Sequence, residues 1–115
     1  MSTPTNLYNF FGDYDQLLSY AKRIPHLVVV DFFATWCGPC KRLGELLPDI
    51  CRQYPHTLFF KADIDACKEL AARYGVQSVP TIKFFKAEGD NLVELASVSG
   101  PDVASIKANI EKYKF

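Results

Sequence analysis

Cys37 and Cys40, with two residues between them in Trp36-Cys37-Gly38-Pro39-Cys40, are the groups in this chain best suited to covalent chemistry. Thiols so close can join each other, exchange with another disulfide, or share a metal. A zinc site normally takes four Cys or His ligands. The remaining candidates, Cys51, Cys67, His26 and His56, show no paired spacing that would complete it. A purely stabilising bridge is also a poor reading, because so small a loop removes little entropy from the unfolded chain. Redox exchange is left as the chemistry that fits.

The segments on either side decide what the thiols can do. Leu27-Val28-Val29-Val30-Asp31-Phe32-Phe33 is apolar on both faces, as a central strand covered by helices would be. A helix from Pro39 to about Tyr54 follows, with Leu43, Leu47, Ile50, Cys51 and Tyr54 along one stripe. Cys37 then falls at a helix N-terminus, where free N–H groups and the helix dipole favour a thiolate. Its pKa is expected below the free value of about 8.5. A solvent-facing Cys37 poised near neutrality is the expected nucleophile, since a thiol much more acidic would attack more weakly. Cys40, facing inward one turn on, can close on Cys37 once a mixed disulfide has formed. Gly38 offers backbone freedom for that turn and Pro39 fixes its own φ at the helix start.

Asp31 is a lone carboxylate inside an apolar strand. Burial should raise its pKa and suit it to proton transfer near neutral pH. The plainer alternative is a strand-end Asp that caps a turn. Lys61, in Leu58-Phe59-Phe60-Lys61-Ala62, is a similar charge in the next strand; it could pair with Asp31 or extend to solvent. Pro80 stands directly before a strand, and its spacing alone favours a trans peptide.

The rest of the chain supplies the frame. With 115 residues, 49 % of them apolar, it reads as one domain able to bury a core. Thirteen basic and thirteen acidic residues balance, which gives no electrostatic case for nucleic acid or an anionic membrane. The first residues carry no secretory signal and no apolar run is long enough to span a bilayer. Four cysteines are few for a secreted disulfide scaffold, so a reducing, cytoplasmic setting is expected. Leu7 to Phe10 reads as a short strand. A helix from Gly12-Asp13 to about Arg23 follows, with Asp13 and Gln16 as a capping box and Pro25 as its stop. Thr57 to Ile64 is a strand, and a short helix from about Ala66 to Tyr74 ends on Gly75. Thr81 to Lys86 and Leu92 to Val98 form a hairpin around Ala87-Glu88-Gly89-Asp90. A last helix starts at Ser99-Gly100-Pro101-Asp102, with Pro101 in its first turn. Interior Pro48 should kink the second helix. The order βαβαβα followed by ββα predicts an α/β domain, a mixed five-stranded sheet flanked by four helices.

Trp36-Cys37-Gly38-Pro39-Cys40-Lys41 after Val30-Asp31-Phe32-Phe33-Ala34 closely resembles the thioredoxin family. Lys61-Ala62-Asp63-Ile64-Asp65, Tyr74-Gly75-Val76, Val79-Pro80-Thr81 and Gly100 extend the match over nearly the whole chain. The resemblance implies the thioredoxin fold and a protein-disulfide reductase, an electron carrier in cell redox homeostasis. Cys37 would be the nucleophile, Cys40 the resolving thiol and Asp31 the acid that helps deprotonate it, with Trp36, Gly38, Pro39, Lys61 and Pro80 in support. It also implies a cis Pro80 packed on the dithiol, and a rim of Trp36, Val79, Pro80 and Gly100 that receives the target, pairing it with the Val79 backbone. A thioredoxin reductase would recharge the protein, with NADPH and FAD belonging to that partner and no cofactor bound here. Peroxiredoxins, methionine sulfoxide reductase and ribonucleotide reductase are the implied targets, and a monomer the implied state.

Two positions depart from the family pattern: Glu45 stands where a kinking proline is usual, with Pro48 three residues later, and Phe33 replaces a common tryptophan. The resemblance associates Gly-His or Pro-His pairs with oxidising members, so Gly38-Pro39 between the cysteines argues against an oxidase or isomerase of the same fold. A binding module is the rival from another class, and the intact dithiol makes that role secondary. Cys51 is expected in the core and Cys67 at the surface. By resemblance to the extra cysteines of some animal members of the family, Cys67 is a candidate regulatory or dimer-forming thiol, although an inert cysteine is the stronger reading.

Overall fold

The computed structural model describes residues 3–24 and 26–115. The helix stop assigned to Pro25 and the reading of Met1 and Ser2 lie outside them. Nine elements follow one another: β1 (Leu7–Asn9), α1 (Tyr14–Arg23), β2 (Val28–Phe33), α2 (Gly38–Gln53), β3 (Leu58–Asp63), α3 (Lys68–Arg73), β4 (Thr81–Glu88), β5 (Asn91–Ser99) and α4 (Val103–Tyr113). The strands form one sheet in the order β1-β3-β2-β4-β5. β1 and β2 run parallel to β3, while β4 runs antiparallel to both β2 and β5. The expected mixed five-stranded sheet with four helices is the architecture found.

β2 explains why the sheet is covered twice. Val28, Val30 and Phe32 point to the side of α1 and α3, where they meet Leu17, Ala21, Leu70 and Phe85. Val29 points to the other side, against Leu43, Leu47 and Ile50 of α2 and Ile106 and Ile110 of α4. Side chains alternate along a strand, so Asp31 shares the α2 face with Val29. The same alternation along β4 sends the consecutive rings of Phe84 and Phe85 into opposite cores.

Local signals hold the helix ends. Asp13 accepts from the Gln16 N–H at 3.0 Å and the Gln16 side chain accepts from the Asp13 N–H at 2.9 Å, the expected capping box. Gly75, at φ +64°, takes a left-handed conformation after α3. At α4 the cap is Asp102, whose carboxylate accepts from the Ser105 N–H at 3.0 Å. Pro101 therefore lies outside the helix, not in its first turn, because the aspartate competes better for the cap. α2 is a single helix that runs on through Pro48.

Asn6 ties the first strand to the far end of α2. Its amide donates to the carbonyl oxygens of Cys51, Tyr54 and Thr57 at 3.0, 2.9 and 2.8 Å. An amide has two hydrogens, so one of these bonds is shared. Asn6→Ala removes the side-chain donor from all three. The Cys51 and Tyr54 carbonyls keep the Tyr54 and Thr57 N–H groups, while the Thr57 carbonyl loses its 2.8 Å partner. The change is expected to cost about 2 kcal/mol of unfolding free energy. Urea denaturation of the two proteins measures it, and a difference below about 0.5 kcal/mol would contradict the role.

Candidate functional site

β2 and β3 are neighbouring parallel strands, and their carboxyl ends deliver adjacent loops to one edge of the sheet. Ala34 leaves β2 and Ile64 leaves β3, joined by the Ile64 N–H donating to the Phe33 carbonyl at 2.9 Å. The chain then turns at Cys37, whose N–H donates to the Ala34 carbonyl at 3.3 Å, and enters α2. Ala34, Cys37 and Cys40 form a small apolar cluster, with Phe33, Ile64 and Val79 packed around it.

Cys37 and Cys40 form a disulfide, with their Cα atoms 5.3 Å apart. Cys37 is the N-cap of α2, and its sulfur accepts from the Cys40 N–H at 3.1 Å. An N–H aimed at that sulfur stabilises charge on it, so Cys37 can carry a thiolate. Two expectations change here. Cys37 does not face solvent: it is 5 % exposed, against 4 % for Cys40. Val79 covers it, with the Val79 carbonyl oxygen 3.6 Å from the Cys37 sulfur. Gly38 needs no special backbone angle, since its φ is not positive and an added Cβ would meet nothing nearer than the Arg42 guanidinium at 3.9 Å. Pro39 does lie in the first turn.

Asp31 is 2 % exposed, and neither carboxylate oxygen has a hydrogen-bond partner. Burial pushes its pKa up to about 7, against the opposing pull of the Lys61 cation. Because it sits two residues inside the strand and bonds to no turn, the capping alternative fails. Lys61 is its neighbour in the β2–β3 register and is half-buried. It does not hydrogen-bond Asp31; its ammonium lies 4.8 Å from the centre of the Phe33 ring. An added Cβ at Gly44 on α2 would come within 3.4 Å of the same ammonium.

The Val79–Pro80 peptide is cis, as the family resemblance implied and spacing alone did not. Pro80 is buried, and its carbonyl accepts from the Gly100 N–H at 2.8 Å. Gly100 takes φ +88°, a region open to glycine. Trp36 is 69 % exposed, and its Nε1 donates to Asp65 at 3.3 Å. The surface around the dithiol is thus an exposed indole beside half-buried Val79 and Gly100, with Pro80 beneath. Asp65 and Ile64 belong here too and were missed. Their signal was their place just after β3, parallel to the strand that carries the cysteines.

Cys67 is not at the surface. It is 5 % exposed in the α1–α3 core, and its thiol donates to the Phe10 carbonyl at 3.3 Å. Burial and the Asp63 charge raise its pKa, so neither exposure nor acidity supports a regulatory or dimer-forming role. The loop before α1 covers this helix start, which the charged neighbours Asp65 and Lys68 had disguised. Cys51 is fully buried, as expected, and burial pushes its thiol up to about 12.

Comparison with known proteins agrees with this geometry. The Thioredoxin family model matches residues 13–112. The thioredoxin of Geodia cydonium is 37 % identical over 103 residues, 90 % of this chain and 92 % of that one. Thioredoxin-2 of Saccharomyces cerevisiae is 39 % identical over 99 residues, 86 % and 88 % of the two chains. The solved structure of Trichomonas vaginalis thioredoxin superposes with a TM-score of 0.87 at 46 % identity, covering 98 % of this chain and all of that one. Beside a dithiol capping α2, a buried carboxylate on the covered face and a cis Val79–Pro80 peptide whose Val79 covers Cys37, there stands a likeness that spans the chain. It belongs to the thioredoxin family, protein-disulfide reductases that act by thiol–disulfide exchange through such a cysteine pair and are recycled by thioredoxin reductase.

Proposed function

We propose that Cys37 is the attacking thiolate, Cys40 the resolving thiol and Asp31 the group that takes the Cys40 proton. The observation that supports this assignment is the position of the Cys37 sulfur, capped by the Cys40 N–H and lying beside the Val79 carbonyl. Exposure does not separate the two cysteines; position does.

In the reduced protein the Cys37 thiolate attacks one sulfur of a target disulfide. The target S–S bond breaks, a mixed disulfide forms, and the released target thiolate takes a proton from water. Cys40 then gives its proton to Asp31, and its thiolate attacks the Cys37 sulfur. The mixed disulfide breaks and the second target thiolate leaves, to be protonated in turn. Two electrons have passed to the target, and Cys37 and Cys40 are joined. Asp31 near pKa 7 can hold that proton and release it at neutral pH.

Trp36, Val79, Pro80 and Gly100 form the docking rim in this reading. A target strand lies along the Val79 backbone and pairs with it as an added strand would. Peroxiredoxins, methionine sulfoxide reductase and ribonucleotide reductase are proposed targets, and the protein works in the cytoplasm as a monomeric electron carrier. The balanced charge and the few cysteines support that setting.

Reduction of insulin disulfides, driven by NADPH and a thioredoxin reductase, tests the function. The wild-type chain is expected to turn over many times per molecule, and Cys37→Ser to fall to the level without protein. Equal turnover by the two would refute the assignment.

A further inference from the structure

Phe33 stands at a junction that the reaction above leaves unused. On one side its ring packs against the cluster of Ala34, Cys37 and Cys40. On the other, the Lys61 ammonium lies over the ring, 4.8 Å from its centre. A lysine ammonium is a strongly hydrated charge on a flexible stem, and it reaches water unless something holds it. Here an aromatic face attracts it, and Gly44 of α2 borders it, where an added Cβ would come to 3.4 Å.

The seat matters because of what faces it. Asp31 is the register partner of Lys61 on β2, and Asn9, its register partner on β1, is uncharged. Ile82 of β4 stands opposite Asp31, and the buried positions of α2 are Cys40, Leu43, Leu47, Ile50 and Cys51. Asp31 therefore feels Lys61 as its cation while the packed neighbours add no charge. At low local dielectric, a small movement of that ammonium changes the field at the carboxylate.

We propose that Phe33 is a positioning residue for the proton transfer: its ring seats the Lys61 ammonium beside Asp31 and so links the acidity of Asp31 to packing at the dithiol. The inference rests on Asp31 as the proton acceptor, but its primary readout does not depend on catalysis. That readout is the titration of the Asp31 carboxyl carbon by NMR in the reduced protein. Phe33→Leu keeps an apolar side chain and removes the aromatic face; its Asp31 midpoint is expected to rise by about half a pH unit. Lys61→Met should raise it at least as far. Phe33→Trp supplies a stronger aromatic face and should hold the midpoint at or slightly below the wild-type value. Added to Lys61→Met, Phe33→Leu should bring no further shift, which separates a seat for the cation from a general loosening of the core. An unmoved midpoint in Phe33→Leu, or a shift that persists in full without Lys61, overturns the inference. The pH–rate limb of insulin reduction should move with the titration. A midpoint that moves while the limb stays fixed overturns Asp31 as the acceptor and leaves the seat standing.

Discussion

Cys40→Ser is expected to turn a catalyst into a trap. The variant keeps the Cys37 thiolate, so it attacks one target disulfide and stops at the mixed disulfide, since no second thiol lies within reach. Cys51 and Cys67 do not substitute, being buried and raised in pKa by that burial. Release then falls to thiols in solution. A thiol one helical turn away acts at a high effective concentration, and its loss should slow release at least about 10³-fold. Non-reducing electrophoresis followed by mass spectrometry should show covalent adducts through Cys37. Cys37→Ser should form none, and the double variant should behave like Cys37→Ser. Adducts that form through Cys40 in Cys37→Ser, at the rate seen for Cys40→Ser, would reverse the two roles.

Asp31→Asn should separate stability from turnover. Both carboxylate oxygens of Asp31 are buried without partners, and its pKa stands at about 7 against an ordinary 3.8. Below pH 4 the group is neutral folded and unfolded, and it costs little. Between pH 4 and 7 the unfolded chain ionises while the folded protein still binds the proton, so stability falls as pH rises. Above pH 7 both states are ionised and the loss levels off at about 4 kcal/mol. Asp31→Asn removes the titration. It should be the more stable protein by a few kcal/mol at pH 8 and nearly equal to wild type at pH 4. Denaturation at the two pH values measures this, and a stability gain that ignores pH would refute the buried charge as its source. The same variant loses the proposed proton acceptor, and resolution of a mixed disulfide at pH 7 should slow about 10–100-fold. Unchanged resolution would remove Asp31 from the mechanism.

Much of this site was legible because local chemistry declared it. A strand apolar on both faces, interrupted by one aspartate and followed by a cysteine pair at a helix start, fixes the order of strand, thiols and acid. The capping box at Asp13 and the left-handed Gly75 were readable for the same reason: each depends on residues within one turn. The misreadings concern burial created by distant segments. Cys67 sits at a helix start among charges, yet the loop at Phe10 seals it from 57 residues away. Cys37 lies in a loop, yet Val79 covers it from 42 residues away. Pro80 shows the same limit, because nothing in its spacing distinguishes cis from trans. Asp65 was missed because its bond to Trp36 follows from two parallel strands ending together, and neither neighbourhood reports the other.

β2 has one property whose importance extends past the reaction itself. It is the middle strand of five, bonded along both edges and roofed by helices on both faces. Local opening of a protein begins at frayed ends and poorly packed margins, and such a strand yields only when the whole molecule does. The dithiol is hung from that strand. A linkage that must be broken and remade at every turnover is thus rooted in the part of the molecule with the least freedom to breathe. The sulfurs can trade partners repeatedly while the ground beneath them holds still.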